Sequence, residues 1–96
     1  MSIDIRGFTI HKDPWSEWLE VDLDDLRMVN MSPFSFSKES KRDGERVFLE
    51  EEEDCDLFIE SFYVKYGERK QAVYITKEYE ELCFIRDLKS VKESDA

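Results

Sequence analysis

Glu50, Glu51, Glu52, Glu53, Asp54 and Asp56 fill six of the seven positions from 50 to 56, interrupted only by Cys55. Carboxylates at that density can cap a helix, hold a divalent cation, or form an electronegative docking face. Calcium loops space their carboxylates with turn-forming residues and a central glycine. This run has no glycine, so no metal ligands are assigned to it. Capping uses two or three acids, each worth about 0.3–1 kcal/mol beside the positive end of the helix dipole. The surplus points to docking on a basic partner. Asp22, Asp24 and Asp25 form a second cluster, with Glu17 and Glu20 upstream and no Lys or Arg from Asp13 to Leu26. Capping explains much of this cluster. If both clusters shared one side, they would present carboxylates much as a nucleic-acid backbone presents phosphates. Trp15 and Trp18 lie among these acids, and an aromatic anchor ringed by charge is what a protein interface uses. Packing in the core is their alternative role.

Nucleophilic chemistry has little support. His11 is the only histidine, and a surface or turn position is expected for it. Cys55 stands at a helix start, which favours a thiolate, but Asp54 and Asp56 beside it oppose one. No phosphate loop, zinc spacing or nucleophile motif is present. No catalytic residue and no cofactor are assigned.

The totals narrow the class. The 96 residues carry a formal net charge of -10, with 40% charged and 14% aromatic residues. That is one acidic domain over residues 1–91, aromatic enough to fold despite its charge, with a frayed tail over 92–96. Direct nucleic-acid or anionic-lipid binding needs Lys and Arg and is not expected. No apolar stretch has the length of a signal peptide or a membrane span. Cys55 and Cys83 are far apart with no CxxC spacing, which predicts free thiols and a cytoplasmic protein.

Hydropathy and turn signals then give the elements. Ile3, Ile5, Phe8 and Ile10 predict a strand whose phase slips at Gly7, as at a bulge. Asp13-Pro14 predicts a short helical turn carrying Trp15 and Trp18. Leu19 and Val21 alternate with acids in a strand over 18–21. Asp22 then caps a short helix over 23–29 that stops at Asn30. One long helix from Pro14 to Asn30 competes with that division. Phe34 to Leu49 predicts a hairpin turning at Asp43-Gly44, with Lys38, Lys41, Arg42 and Arg46 in its basic loop. Cys55, Phe58, Ile59, Phe62, Tyr63 and Tyr66 keep helical spacing between an Asp54 N-cap and a Gly67 C-cap, which predicts that Phe58, Ile59, Phe62 and Tyr63 are buried. Their strand propensity makes a strand the competing prediction. Strands over 72–76 and 82–86 follow. The expected fold is α+β: a small, mainly antiparallel sheet of about five or six strands, with one main helix over 54–66 packed on it.

Trp18-Leu19-Glu20-Val21, the acid-rich helix start, the Ser/Phe-rich segment and Phe48-Leu49-Glu50-Glu51 before Asp54-Cys55-Asp56 resemble a group of small, uncharacterised phage and mobile-element proteins. In that group a strand ends in Leu-Glu-Glu and leads into Asp-Cys-Asp at a helix start. The likeness runs from Trp18 to Phe62, and Glu52 and Glu53 separate the two halves of the motif. It implies a genomic setting.

The expected function is a small protein-binding inhibitor that occludes a basic, nucleic-acid-binding surface of a partner. An immunity protein against a basic toxin fits the same residues. A small metal-dependent hydrolase using the acidic clusters is the alternative from another class.

Overall fold

The computed structural model describes Asp4 to Glu93. Ile3, which opens the first predicted strand, and residues 94–96 of the predicted tail lie outside the described residues. The fold is α+β, as expected. A sheet of six strands is built from β1 (Asp4–Lys12), β2 (Glu17–Asp22), β3 (Lys41–Asp43), β4 (Arg46–Glu50), β5 (Lys70–Glu78) and β6 (Lys89–Ser90), in the order β5-β1-β2-β4-β3-β6. Among the described residues two α-helices accompany it, α1 (Leu23–Met28) and α2 (Glu53–Tyr66). No helix among the described residues is long and apolar enough to cross a membrane.

Side-chain alternation puts both faces of the central strands to use. Leu19, Val21, Val47 and Leu49 point to one face, where Phe58 and Phe62 of α2, Leu26 of α1 and Phe8 of β1 complete a core. Trp18 and Phe48 point to the other face, against Cys83 and Ile85. This explains the uninterrupted Val47-Phe48-Leu49 run. A strand covered on both sides has no solvent side to occupy with polar residues.

Capping fixes the helix ends. The Asp22 carboxylate accepts the Asp25 amide at 2.8 Å, and the Asp25 carboxylate accepts the Asp22 amide at 3.0 Å. This reciprocal box starts α1 where the sequence predicted it. α2 closes on Gly67 at φ 55, a backbone conformation that glycine adopts without strain. Its start differs from expectation: the N-cap position is Glu52, and Asp54 lies inside the first turn.

Five further differences have physical causes. β1 runs unbroken past Gly7, paired in register with β5 from Asp4↔Lys70 to Lys12↔Glu78, so Gly7 marks no bulge. Its hydropathy changes phase because Ile5 lies 65% exposed on the face opposite Phe8, while Arg6 on the Phe8 face pairs with Asp25. Asp13 does cap a turn, accepting the Trp15 and Ser16 amides, but no helix follows because β2 begins at Glu17. Pro33–Ser35 is a 3-10 turn held by reciprocal Ser32–Ser35 bonds, so the hairpin begins only at β3. The segment predicted as a strand over 82–86 is an irregular strap with a 3-10 turn, Phe84–Asp87. It is anchored by Asp13, whose carboxylate takes Arg86 Nε at 2.6 Å, Arg86 Nη2 at 3.0 Å and the Cys83 amide at 3.1 Å. Finally, Tyr63 is 43% exposed, whereas Phe58 and Phe62 are buried and Ile59 is half-buried.

β5 pairs with β1 in parallel. β4 and β5 point the same way, and α2 carries the chain between them across β2 and β1. Past β6, Val91 is buried and its amide donates to the Ser40 carbonyl at 3.0 Å, while the Lys92 ammonium reaches the Phe34 carbonyl at 2.7 Å.

Candidate functional site

Asp54 builds the acidic corner from its floor. Its carboxylate is buried and accepts the Ser37 amide at 3.0 Å, the Ser37 hydroxyl at 2.7 Å and the Ser40 hydroxyl at 2.5 Å. Ser40 Oγ in turn accepts the Glu50 amide at 2.9 Å. One carboxylate thus ties the 37–40 loop to the end of β4 and the start of α2, and brings Glu39 beside the run. The result is a shallow hollow of about 230 Å³ lined by Ser37, Glu39 and Glu50 through Asp54.

Charge is crowded there. Partial burial, followed by the fields of Glu39, Asp54, Glu51 and Glu52, raises the Glu50 pKa above the ordinary carboxylate value. Burial and then Glu17 and Glu52 raise that of Glu51, with Lys12 opposing them. Burial, then Asp56, Glu17 and Glu51, push the Cys55 thiol up to about 11, which keeps it protonated and unreactive near neutral pH. Cys55 and Cys83 are both free. The backbone is also strained: Glu52 sits at φ 72 and ψ -112, a region that side chains rarely enter.

The two predicted clusters do not merge. Trp18 pairs with Glu50 at one end of β2, and Asp22 pairs with Arg46 at the other. At about 3.3 Å per residue the ends of this six-residue strand stand roughly 15 Å apart. The Asp22 cluster is largely neutralised internally. Asp25 takes Arg6 Nε at 3.0 Å and Nη2 at 2.6 Å, and Asp24 meets Arg27 at 2.5 Å. Burial opposes ionisation of Asp25, yet Arg6 and the Asp22 amide hold its pKa below the ordinary value. Asp22, Asp24 and Asp25 therefore cap and pair around α1, at the opposite end of β2 from the acidic corner.

Trp18 lies in the interior. It is 4% exposed, packed against the strap beneath the Arg86 guanidinium at 5.2 Å, and has no surface to offer a partner. Asp54 is likewise a buried pin. Trp15 is 68% exposed in the turn before Glu17, at the same end of the sheet as the acidic corner. Glu51, Glu52, Glu53 and Asp56 are exposed and Glu50 is half-buried. Sequence reasoning missed Glu39, hidden among basic neighbours, and placed Glu17 with the wrong cluster. The Glu51 amide bonds the Glu17 carbonyl at 3.0 Å, which joins Glu17 to this corner.

His11 is buried, against expectation. Its Nδ1 lies 2.9 Å from the Tyr79 hydroxyl and its Nε2 2.8 Å from Glu20, with Phe48 and Phe84 edge-on to the ring. Nδ1 thus fastens the strap to the sheet through Tyr79, and Nε2 links β1 to Glu20 of β2. Among the described residues, no three His, Cys, Asp or Glu side chains are grouped so as to hold a metal ion.

Comparison with protein-family models, curated proteins and solved structures gives no match to this chain.

Proposed function

We propose that this chain is a protein-binding antagonist, acting in the cytoplasm, whose acidic corner docks on a basic surface that otherwise holds a nucleic-acid backbone. The setting that fits such an antagonist is a phage or mobile element facing a host enzyme or defence complex. Glu50 to Glu53 and Asp56 supply long-range attraction, with Glu39 and Glu17 extending the field. Trp15 supplies an exposed aromatic contact at the same end of the sheet.

The conformation of Glu52 carries the proposal. A residue at φ 72 with like charges on both sides is disfavoured by backbone and electrostatics together. Glycine would relieve both costs. Strain kept alongside raised carboxylate pKa values at Glu50 and Glu51 is support for a corner that serves binding rather than stability.

The test replaces Glu51, Glu52 and Glu53 together with Gln. A basic protein captured from the native host on the immobilised wild type is purified, and its association is timed with both proteins at two salt concentrations. The wild type should associate at least about tenfold faster than the triple variant at low salt, with the gap closing at high salt. A nucleic-acid duplex should compete with it for the same partner. Equal rates at both salt concentrations overturn electrostatic docking.

A further inference from the structure

We propose that β5 is the dimerisation edge of this protein, pairing antiparallel with β5 of a second copy about Tyr74 to make one continuous sheet. The proposal is independent of the function assigned to the acidic corner.

β5 is a terminal strand of nine residues, with β1 on one side and, among the described residues, no strand on the other. Edge strands are commonly protected by proline, bulges, central charges or short length. β5 is long, unbroken and free of proline, and its charges, Lys70, Lys77 and Glu78, lie toward its two ends. Its register with β1 is unbroken, and Gln71 to Thr76 carry no charge. Val73, Tyr74 and Ile75 are 37%, 42% and 68% exposed.

The direction of the free backbone groups follows from one hydrogen bond. The Tyr79 amide donates to the Lys12 carbonyl at 2.8 Å, which aims odd-numbered residues at β1. In a regular ladder the alternate residues, Lys70, Ala72, Tyr74, Thr76 and Glu78, turn their N–H and C=O groups outward. A two-fold axis at Tyr74 matches this phase. It sets Lys70 opposite the second copy's Glu78, Ala72 opposite its Thr76 and Tyr74 opposite its Tyr74, all as hydrogen-bonded pairs. About ten backbone bonds result, at two per pair. This register overlaps the whole strand and places opposite charges across both ends.

The side chains agree with it. Val73 meets the second copy's Ile75 on the sheet face that the strap leaves open, where Ile5 is 65% exposed. These are the closely spaced, non-hydrogen-bonded positions, where β-branched pairs pack well. Net charge does not forbid the contact. β5 carries Lys70 and Lys77 against Glu78, so the edge is locally positive in a chain of net charge -10. The acidic corner lies at the Glu78 end of the sheet, and antiparallel pairing sends the two corners to opposite ends of the dimer.

Sedimentation velocity from micromolar to millimolar protein tests this with four proteins: wild type, Glu78→Lys, the double variant Lys70→Glu with Glu78→Lys, and Thr76→Pro. Circular dichroism confirms folding of each. The wild type should form a dimer. Glu78→Lys sets like charges opposite one another twice and should weaken it at least about tenfold. The double variant should restore it. Thr76→Pro removes an outward N–H without breaking a β1–β5 bond and should give a monomer. A wild type that stays monomeric at millimolar concentration overturns the proposal. So does a dimer that Glu78→Lys and Thr76→Pro leave intact, which would place the interface elsewhere.

Discussion

At the scale of single residues, Glu52 shows chemistry and backbone in conflict. Its φ of 72 costs a side chain on the order of 1–3 kcal/mol relative to a relaxed conformation. Glycine escapes that cost, although its freer unfolded chain returns part of the gain. Glu52→Gly should therefore raise stability by about 1 kcal/mol, read as a higher urea midpoint at unchanged m-value. Glu52→Gln keeps the strain and removes only the charge, so it should gain less. Equal gains from the two variants would assign the whole effect to repulsion. The density of acids here was legible in the sequence. The twist at Glu52 was not, because it arises where the end of β4 must meet an α2 start already pinned by Asp54, Ser37 and Ser40.

At the scale of elements, α2 was legible through its spacing and Gly67, but the width of its buried stripe was not. Phe62 is 3% exposed, and its ring lies 5.7 Å from Phe8, 6.2 Å from Phe58 and 4.8 Å from Tyr66. Phe62→Ala should cost about 3–5 kcal/mol, a large part of the stability of so small a domain. Tyr63→Ala, one position along, should cost less than about 1.5 kcal/mol, because its ring is 43% exposed. Chemical denaturation of both variants checks the contrast. Similar losses would mean that α2 is rotated on the sheet. The helix crosses β1 and β2 on its way to β5, and that path decides which residues of its apolar side face protein. Spacing along the helix carries no record of the path. The strap over 79–88 was misread for a related reason. Leu82 to Arg86 has strand-like residues, but it is held by Asp13 and His11 from distant parts of the chain.

At the scale of the whole molecule, two opposed sets of carboxylates set the response to pH. Glu50 and Glu51 have raised pKa values in the folded state, so folding takes up protons there. Their contribution improves as pH falls from neutral through those raised values toward the unfolded value near about 4.3. Asp13 behaves oppositely. The Arg86 guanidinium, against burial and with the Cys83, Trp15 and Ser16 amides, holds its carboxyl far below the usual carboxylate range. Its contribution is complete above the unfolded value near about 3.9 and is lost as pH falls below it. Thermal melts should thus reach their highest midpoint in mildly acidic solution, not at neutral pH, and fall steeply in stronger acid. Added salt should raise the neutral-pH midpoint by screening the net charge of -10. A midpoint that falls steadily from pH 7 to 5 would show that repulsion at the acidic corner is negligible.

The sequence by itself determined the local features of this protein: the α+β class, the Asp22 cap, the Asp43-Gly44 turn, the helix ending at Gly67 and the density of acid at 50–56. Each depends on residues within a few positions of one another, where propensity, capping and periodicity act directly. Tertiary structure decided what lies between distant residues. It separated the two acidic clusters along β2, buried Trp18 and His11 under the strap, drew Glu17 and Glu39 into the acidic corner and turned Asp54 from a cap into a pin. It also set β5 parallel to β1 with its outer edge free. The physical reason is that burial and charge partners depend on which strands pair, and pairing is settled by the shared core of Phe8, Leu19, Val21, Val47, Leu49, Phe58 and Phe62, whose members come from four separate elements of the chain.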